Sequence, residues 1–221
     1  MKSTSSEQLQ SLSSPIGIDG TDLTGSRDVI LAAGAFPEKG GVARRILESA
    51  RRVVCCDSAA DAFRRNCGRE PFAVVGDCDS VKGRFRNVVR VEEQDTNDLA
   101  KAVRFCREKG MENLVILGAT GKRDDHSLGN VFRALDFAID VVTDYGRFTA
   151  LEGIKTYRVK PGAGVSVFAV DPETEMTSKG LQWPLDGVRF ENLYCATLNR
   201  AVGAEVTLSS TKRVYVYFPF K

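Results

Sequence analysis

From Arg27 onward the chain alternates short apolar runs with amphipathic stretches, and that alternation restricts it to a few architectures. DVILAAGAF is a continuous apolar run followed by GGVARRILESARR, which has helical spacing. VVCCD is followed by SAADAFRRNC, and PFAVVGD is a third run. The shorter VVRVEE precedes NDLAKAVRFCREKG, and NLVILGA precedes a helical stretch from about Ser127 to Ile139. Runs that are apolar throughout suit strands covered on both faces, and helices between them suit a parallel sheet. Leu99, Ala102, Val103 and Cys106 share one helix face. Leu128, Val131, Phe132, Leu135 and Ile139 share another, so both sets are expected in the core.

Beyond about Gly146 the texture changes. TALEGIKTYRVKPGAGVSVFAV, RFENLYCATL, AEVTLSS and RVYVYFPF read as strands separated by Gly, Pro and Asn, with no helical period. About 75 residues of this kind predict a small antiparallel sandwich or barrel. The first 26 residues are rich in Ser and Thr and lack the apolar stretch of a signal peptide. They are expected to form a flexible tail, or an arm ordered by packing. Three segments result: a tail over 1–26, an α/β part over 27–146 and a β part over 147–221.

A formal net charge of +2 gives no reason to expect a nucleic-acid partner. No apolar run approaches the roughly 20 residues of a membrane span, so no membrane partner is expected either. Cys55, Cys56, Cys67, Cys78, Cys106 and Cys195 contain no CxxC pair, and several lie in apolar runs. Reduced cysteines acting as small hydrophobes, in a cytoplasmic protein, are the expectation.

The chemistry lies where the apolar runs stop. The second run ends in Asp57, and the third in GDCDS with Asp77 and Asp79. The fourth leads to QDTNDLAKA with Asp95 and Asp98, and the fifth to GATGKRDDHSLGN with Asp124, Asp125 and the single histidine, His126. In a parallel sheet all of these reach the carboxyl edge, where ligands bind. So many carboxylates at close range repel one another. Lys101, Lys122 and Arg123 are too few to balance them, whereas a divalent cation with oxygen ligands, Mg²⁺, would. GATGKRDDHSLGN is not a P-loop, because Arg123 follows Gly121-Lys122 and Ile116 stands where the first glycine belongs. Its glycines still allow close backbone approach, Lys122 and Arg123 suit phosphate, and Asp125 and His126 open the next helix. That combination suits a nucleotide–Mg²⁺ site. Each residue also has a plainer reading. Asp57 and Asp95 could be helix N-caps, with Asp98 in a first turn, and a lone His126 could be structural.

GDCDS, QDTNDLAKA and GATGKRDDHSLGN, in this order, resemble the motifs of the thiamine pyrophosphokinase family. SKGLQWPL and TLNRA resemble its later segments, and the resemblance spans roughly residues 28–221. Ser58 and Lys122 stand where the family usually has Gly, and Leu198 where it usually has Ser. The resemblance implies an α/β N-terminal domain with a mainly parallel, Rossmann-like sheet that binds ATP and Mg²⁺. It also implies an all-β C-terminal sandwich that supplies much of the thiamine pocket. The enzyme would be a homodimer with sites at the subunit interface, transferring pyrophosphate from ATP to the thiamine hydroxyl to give thiamine diphosphate and AMP. By matching position, Asp77, Asp79 and Asp98 would be metal-associated carboxylates, with Asp57, Gln94 and Asp95 in the same phosphate site. Arg123 would meet phosphate beside Lys122 and His126, Asp125 would lie near the thiamine hydroxyl, and Trp183 and Asn199 would contact thiamine.

Two other functions compete. Asp77-Cys78-Asp79-Ser80-Val81 also fits the nucleophile box of a haloacid-dehalogenase-type phosphatase, with Asp77 as nucleophile and Asp79 as acid. A nucleotide- or thiamine-binding sensor without catalysis is the second. Against the first, no Lys and acidic-pair boxes follow in order. Against the second, binding alone would not require so many carboxylates.

Overall fold

A computed structural model describes residues 16–23 and 27–220. Among them are twelve strands and four α-helices in a mixed α/β arrangement. The chain divides into two compact units, Leu23–Thr149 and Met1–Asp22 with Ala150–Lys221. Strand β1 (Ile16–Gly17) belongs to the latter.

In the unit Leu23–Thr149 the apolar runs are strands. They are β2 (Asp28–Leu31), β3 (Arg52–Cys56), β4 (Ala73–Gly76), β5 (Val88–Arg90), β6 (Leu114–Leu117) and β7 (Asp140–Val142). Helices α1 (Val42–Ser49), α2 (Ala59–Cys67), α3 (Asp98–Glu108) and α4 (Asp124–Asp136) connect them. Every residue of β2, β4 and β6 is buried, as strands covered on both faces require. The order β7-β6-β2-β3-β4-β5 is parallel throughout, and β8 (Gly146–Arg158) opens antiparallel to β7. The chain runs outward from β2 in one direction and returns at β6 to run in the other. The loops after β2 and β6 therefore flank the topological switch point, where open α/β sheets take ligands.

At the opposite, amino edge, Asp28 is buried and held by Arg51 and Arg52 at 2.8 and 2.7 Å. Burial alone would push its carboxyl up, but the two guanidinium groups outweigh it and bring the pKa down to about 2.

The expected core face of α3 is buried in full: Leu99, Ala102, Val103 and Cys106. The expected face of α4 needs correction. Val131, Leu135 and Ile139 are buried, but Leu128 is 64% exposed and Phe132 only half-buried. The helical period holds along α4, but nothing among the described residues of this unit buries Leu128 in its first turns.

Among its described residues the other unit contains no helix beyond the 3-10 turn that begins at Thr21. After β8 come β9 (Gly164–Phe168), β10 (Met176–Lys179), β11 (Ala196–Arg200) and β12 (Glu205–Pro219). β9 is antiparallel to both β11 and β12, and β10 pairs with the first half of β12. The core gathers Leu151, Val165, Val167, Leu208 and Val216, and the Tyr157 and Phe218 rings lie 4.9 Å apart. Of the tail expected over 1–26, residues 1–15 and 24–26 lie outside the described residues. The described part is built into the fold. Ile16 and Gly17 pair in parallel with Tyr157 and Arg158, Ile16 and Ile18 pack on the core, and Leu23 is buried.

The cysteines are free, with Cys55, Cys56, Cys78 and Cys106 buried. Burial raises their pKa values, that of Cys106 to about 12, so these thiols are unreactive. No helix among the described residues is long and apolar enough to cross a membrane.

Candidate active site

Asp57 immediately follows β3, Asp77 immediately follows the neighbouring β4, and Asp98 begins α3, which packs across both strands. The parallel register pairs Cys56 with Val75, and the Asp57 N–H donates to the Val75 carbonyl at 3.1 Å. Three half-buried carboxylates thereby converge, with one oxygen from each lying within 4.8 Å of the others.

The backbone is bent to achieve this. Asp57 (φ 45°) and Cys78 (φ 59°) adopt left-handed conformations that non-glycine residues rarely take. Such residues persist where surrounding contacts fix them, typically at functional sites. Asp57 is thus not a helix cap. Ser58 occupies the N-cap position of α2, without a side-chain cap bond. Likewise Asn97, not Asp95, caps α3, its side chain accepting from the Ala100 N–H at 3.0 Å.

The Ser80 hydroxyl donates to Asp57 Oδ2, while Asp57 Oδ1 is buried and accepts no hydrogen bond. Lys101 Nζ lies 3.4 Å from Asp98 Oδ1. Burial pushes the Asp98 carboxyl up, Lys101 opposes this, and Asp77 and Asp57 push it further up. A buried carboxylate oxygen without a donor, beside two more carboxylates, is costly unless a cation completes it. Hard oxygen donors at this spacing fit Mg²⁺.

Asp79 stands outside this trio. Its carboxylate is exposed, and its N–H donates to Asp77 Oδ1 at 3.3 Å. Gln94 and Asp95 are exposed, Gln94 Nε2 donating to the Glu92 carbonyl at 3.2 Å.

The β6–α4 loop reaches the same edge. The N–H groups of Gly34 and Ala35, in the loop after β2, donate to the carbonyls of Gly118 and Thr120 at 2.8 and 2.7 Å. This close approach needs glycine, since a β-carbon on Gly34 would lie 2.4 Å from both carbonyl oxygens. Lys122 takes φ 64°, and its Nζ donates to the Ala33 carbonyl at 2.9 Å. Arg123 and Asp125 pair at 2.6 Å, both largely exposed. The Arg123 guanidinium and the His126 backbone N–H hold Asp125 at about 2. The Asn97 amide donates to Asn130 Oδ1, and Asn130 donates to the Ala119 carbonyl, linking the start of α3 to this loop. A cavity of about 170 Å³ lies beside it, lined by Phe36, Gly118, Gly121, Thr143 and Tyr145 among others. A larger one, about 430 Å³, opens at the amino edge among Arg27, Arg107, Met111 and Ile139, away from the carboxylates.

In the β unit, Trp183 is 53% exposed and Asn199 is buried. Asn199 accepts from the Trp183 N–H at 3.2 Å and donates to the Trp183 carbonyl at 2.7 Å. Asn199 therefore fixes the backbone that presents Trp183. Leu198 takes φ 62° and is exposed.

Sequence reasoning left Ser80 and Asn97 without a role, and counted Lys101 only as a nearby charge. The Ser of GDCDS and the Asn before Asp98 were visible, but their partners lie across the fold.

Comparison with known families follows this division. The family model described as "Thiamin pyrophosphokinase, catalytic domain" matches residues 43–142, and "Thiamin pyrophosphokinase, substrate-binding domain" matches residues 146–217. Thiamin pyrophosphokinase 1 of Caenorhabditis elegans is 26% identical over 192 residues, which is 76% of this chain and 79% of that protein. Among solved structures, thiamin pyrophosphokinase from Candida albicans aligns with TM-score 0.74 at 14% identity, covering 96% of this chain and 95% of that one. The yeast enzyme aligns with TM-score 0.73 at 12% identity, covering 95% and 92%. Two consecutive family matches, with the motif carboxylates gathered inside the first, show that this chain belongs to the thiamine pyrophosphokinase family of enzymes.

Proposed function

We propose that the protein transfers the pyrophosphate of ATP to the hydroxyl of thiamine, releasing AMP and thiamine diphosphate. The observation that carries this reading is the convergence of Asp57, Asp77 and Asp98, with Asp57 Oδ1 buried and accepting no hydrogen bond, at the ligand-binding edge of the sheet. Phosphoryl-type transfer needs positioning and charge neutralisation rather than a covalent intermediate. In this reading Asp57, Asp77 and Asp98 hold Mg²⁺, with Asp79, Gln94 and Asp95 reaching it or the phosphates from the exposed rim. Bound there, Mg²⁺ would neutralise polyphosphate charge and orient the reacting oxygens.

Arg123 exchanges Asp125 for a phosphate group, joined by Lys122 and His126. Asp125, once released, accepts the hydrogen bond of the thiamine hydroxyl. Trp183 packs on the aminopyrimidine ring, and Asn199 acts through Trp183. The reading further takes Leu23–Thr149 as a Rossmann-like catalytic domain and the β unit as a sandwich that supplies thiamine contacts. It takes the enzyme as a cytoplasmic homodimer with active sites at the subunit interface. Exposed Trp183, Tyr194, Leu198 and Val202 in the β unit support association.

The test is product analysis. Purified protein with Mg²⁺ and ATP should release AMP only when thiamine is added. Phosphate release without AMP would favour a phosphatase, and binding without turnover would favour a sensor.

A further inference from the structure

Lys101 is the least expected residue near the carboxylates. It is 4% exposed, although lysine is rarely buried unless paired. It lies one turn beyond Asp98 on α3, and its ammonium group meets Asp98 Oδ1. On a helix surface such a pair would matter little. Here the ammonium is shielded from solvent, so its charge is felt more strongly. Among the described residues, no other Lys or Arg nitrogen lies within ion-pair distance of Asp57, Asp77 or Asp98.

We propose that Lys101 is a built-in counter-cation that positions Asp98 and tunes the carboxylate trio to a single divalent ion. This rests on the reading of the trio as the metal site. Three ionised carboxylates with one fixed ammonium leave two uncompensated negative charges, the charge of one Mg²⁺. Without Lys101 the trio would hold a cation more tightly, and Asp98 would lose the contact that fixes its carboxylate. Lys101 touches neither substrate nor metal in this account. It acts through Asp98 as a positioning residue.

Mn²⁺ titration of nucleotide-free protein, followed by electron paramagnetic resonance, tests this. Lys101→Met and Lys101→Gln should bind Mn²⁺ about tenfold more tightly, even with screening close to that of water. Their turnover should nevertheless fall. Lys101→Arg keeps the charge and should bind Mn²⁺ as the wild type does. Removing one partner of a buried ion pair leaves the other charge uncompensated and is commonly destabilising. If Lys101→Met does not fold, Lys101→Gln makes the same charge change and keeps a donor for Asp98. Wild-type protein that binds no Mn²⁺ would overturn the metal reading itself. Wild-type protein that binds Mn²⁺ while the neutral variants bind it equally or more weakly would overturn the role of Lys101 alone.

Discussion

The α-carbon of Gly76 faces the Asp98 carboxyl so closely that a β-carbon built on it would lie 3.2 Å from both Cγ and Oδ1. The same β-carbon would lie 3.4 Å from Asp57 Cβ, and Gly76 has φ 155°. Gly76→Ala should therefore displace Asp98 and strain the turn after β4. Turnover should drop at least about tenfold, with a loss of Mn²⁺ affinity, while the melting temperature falls by only a few degrees, as expected for about 1 kcal/mol. Unchanged Mn²⁺ binding would show that Asp98 is not held from this side.

Asp57→Asn and Asp77→Asn each remove a charge from the trio without removing core volume. Each should lower turnover by about 100-fold or more, because a bound metal supplies several kcal/mol to charge neutralisation. Asp79→Asn, whose carboxylate is exposed, should retain Mn²⁺ binding in the absence of nucleotide. Isothermal titration of the three variants separates the trio from its rim, and a complete loss of metal binding in Asp79→Asn would place Asp79 within it.

Acid stability should depend on Asp28. Its carboxyl is depressed from 3.8 to about 2 in the folded protein by Arg52 and Arg51. The stabilisation is present above the unfolded value and is lost as pH falls from about 4 through about 2. Asp28→Asn should cost about 2 kcal/mol at neutral pH and little near pH 2. Urea unfolding at both pH values measures the difference, and an equal cost at both would assign the loss to packing.

Trp183→Ala should raise the Michaelis constant for thiamine about tenfold, with little change for ATP, since stacking plus burial is worth roughly 1.4 kcal/mol. The side chain is half exposed, so folding should survive. Trp183 is the only tryptophan, so fluorescence reports on it directly. A wild-type emission spectrum indifferent to thiamine would remove Trp183 from the pocket.

Sedimentation at micromolar concentration should give a dimer. Val202→Glu and Leu198→Glu, on the exposed apolar surface of the β unit, should shift it toward monomer and lower activity together. Fully active monomer would rule out a site completed by a second subunit.

The sequence by itself determined the strand and helix alternation, because burial on both faces of a strand and on one face of a helix leaves readable periods. It also determined that carboxylates would collect at one edge, since Asp57 and Asp77 directly follow buried runs and Asp98 comes soon after the short apolar run that forms β5. Which carboxylates meet was decided by the tertiary structure. The left-handed turns at Asp57 and Cys78 accompany Asp57 in the trio and Asp79 exposed at the rim, where the family resemblance implied Asp77 with Asp79 and Asp98. Leu128 shows the same limit: its helical phase was legible, but not the absence of a neighbour to cover it. Lys101 reads as an ordinary helix residue until α3 is laid across β3 and β4, which buries its ammonium beside Asp98. Periodicity is local and survives in the sequence. Convergence depends on strand register, loop dihedrals and packing between distant segments, which only the folded chain sets.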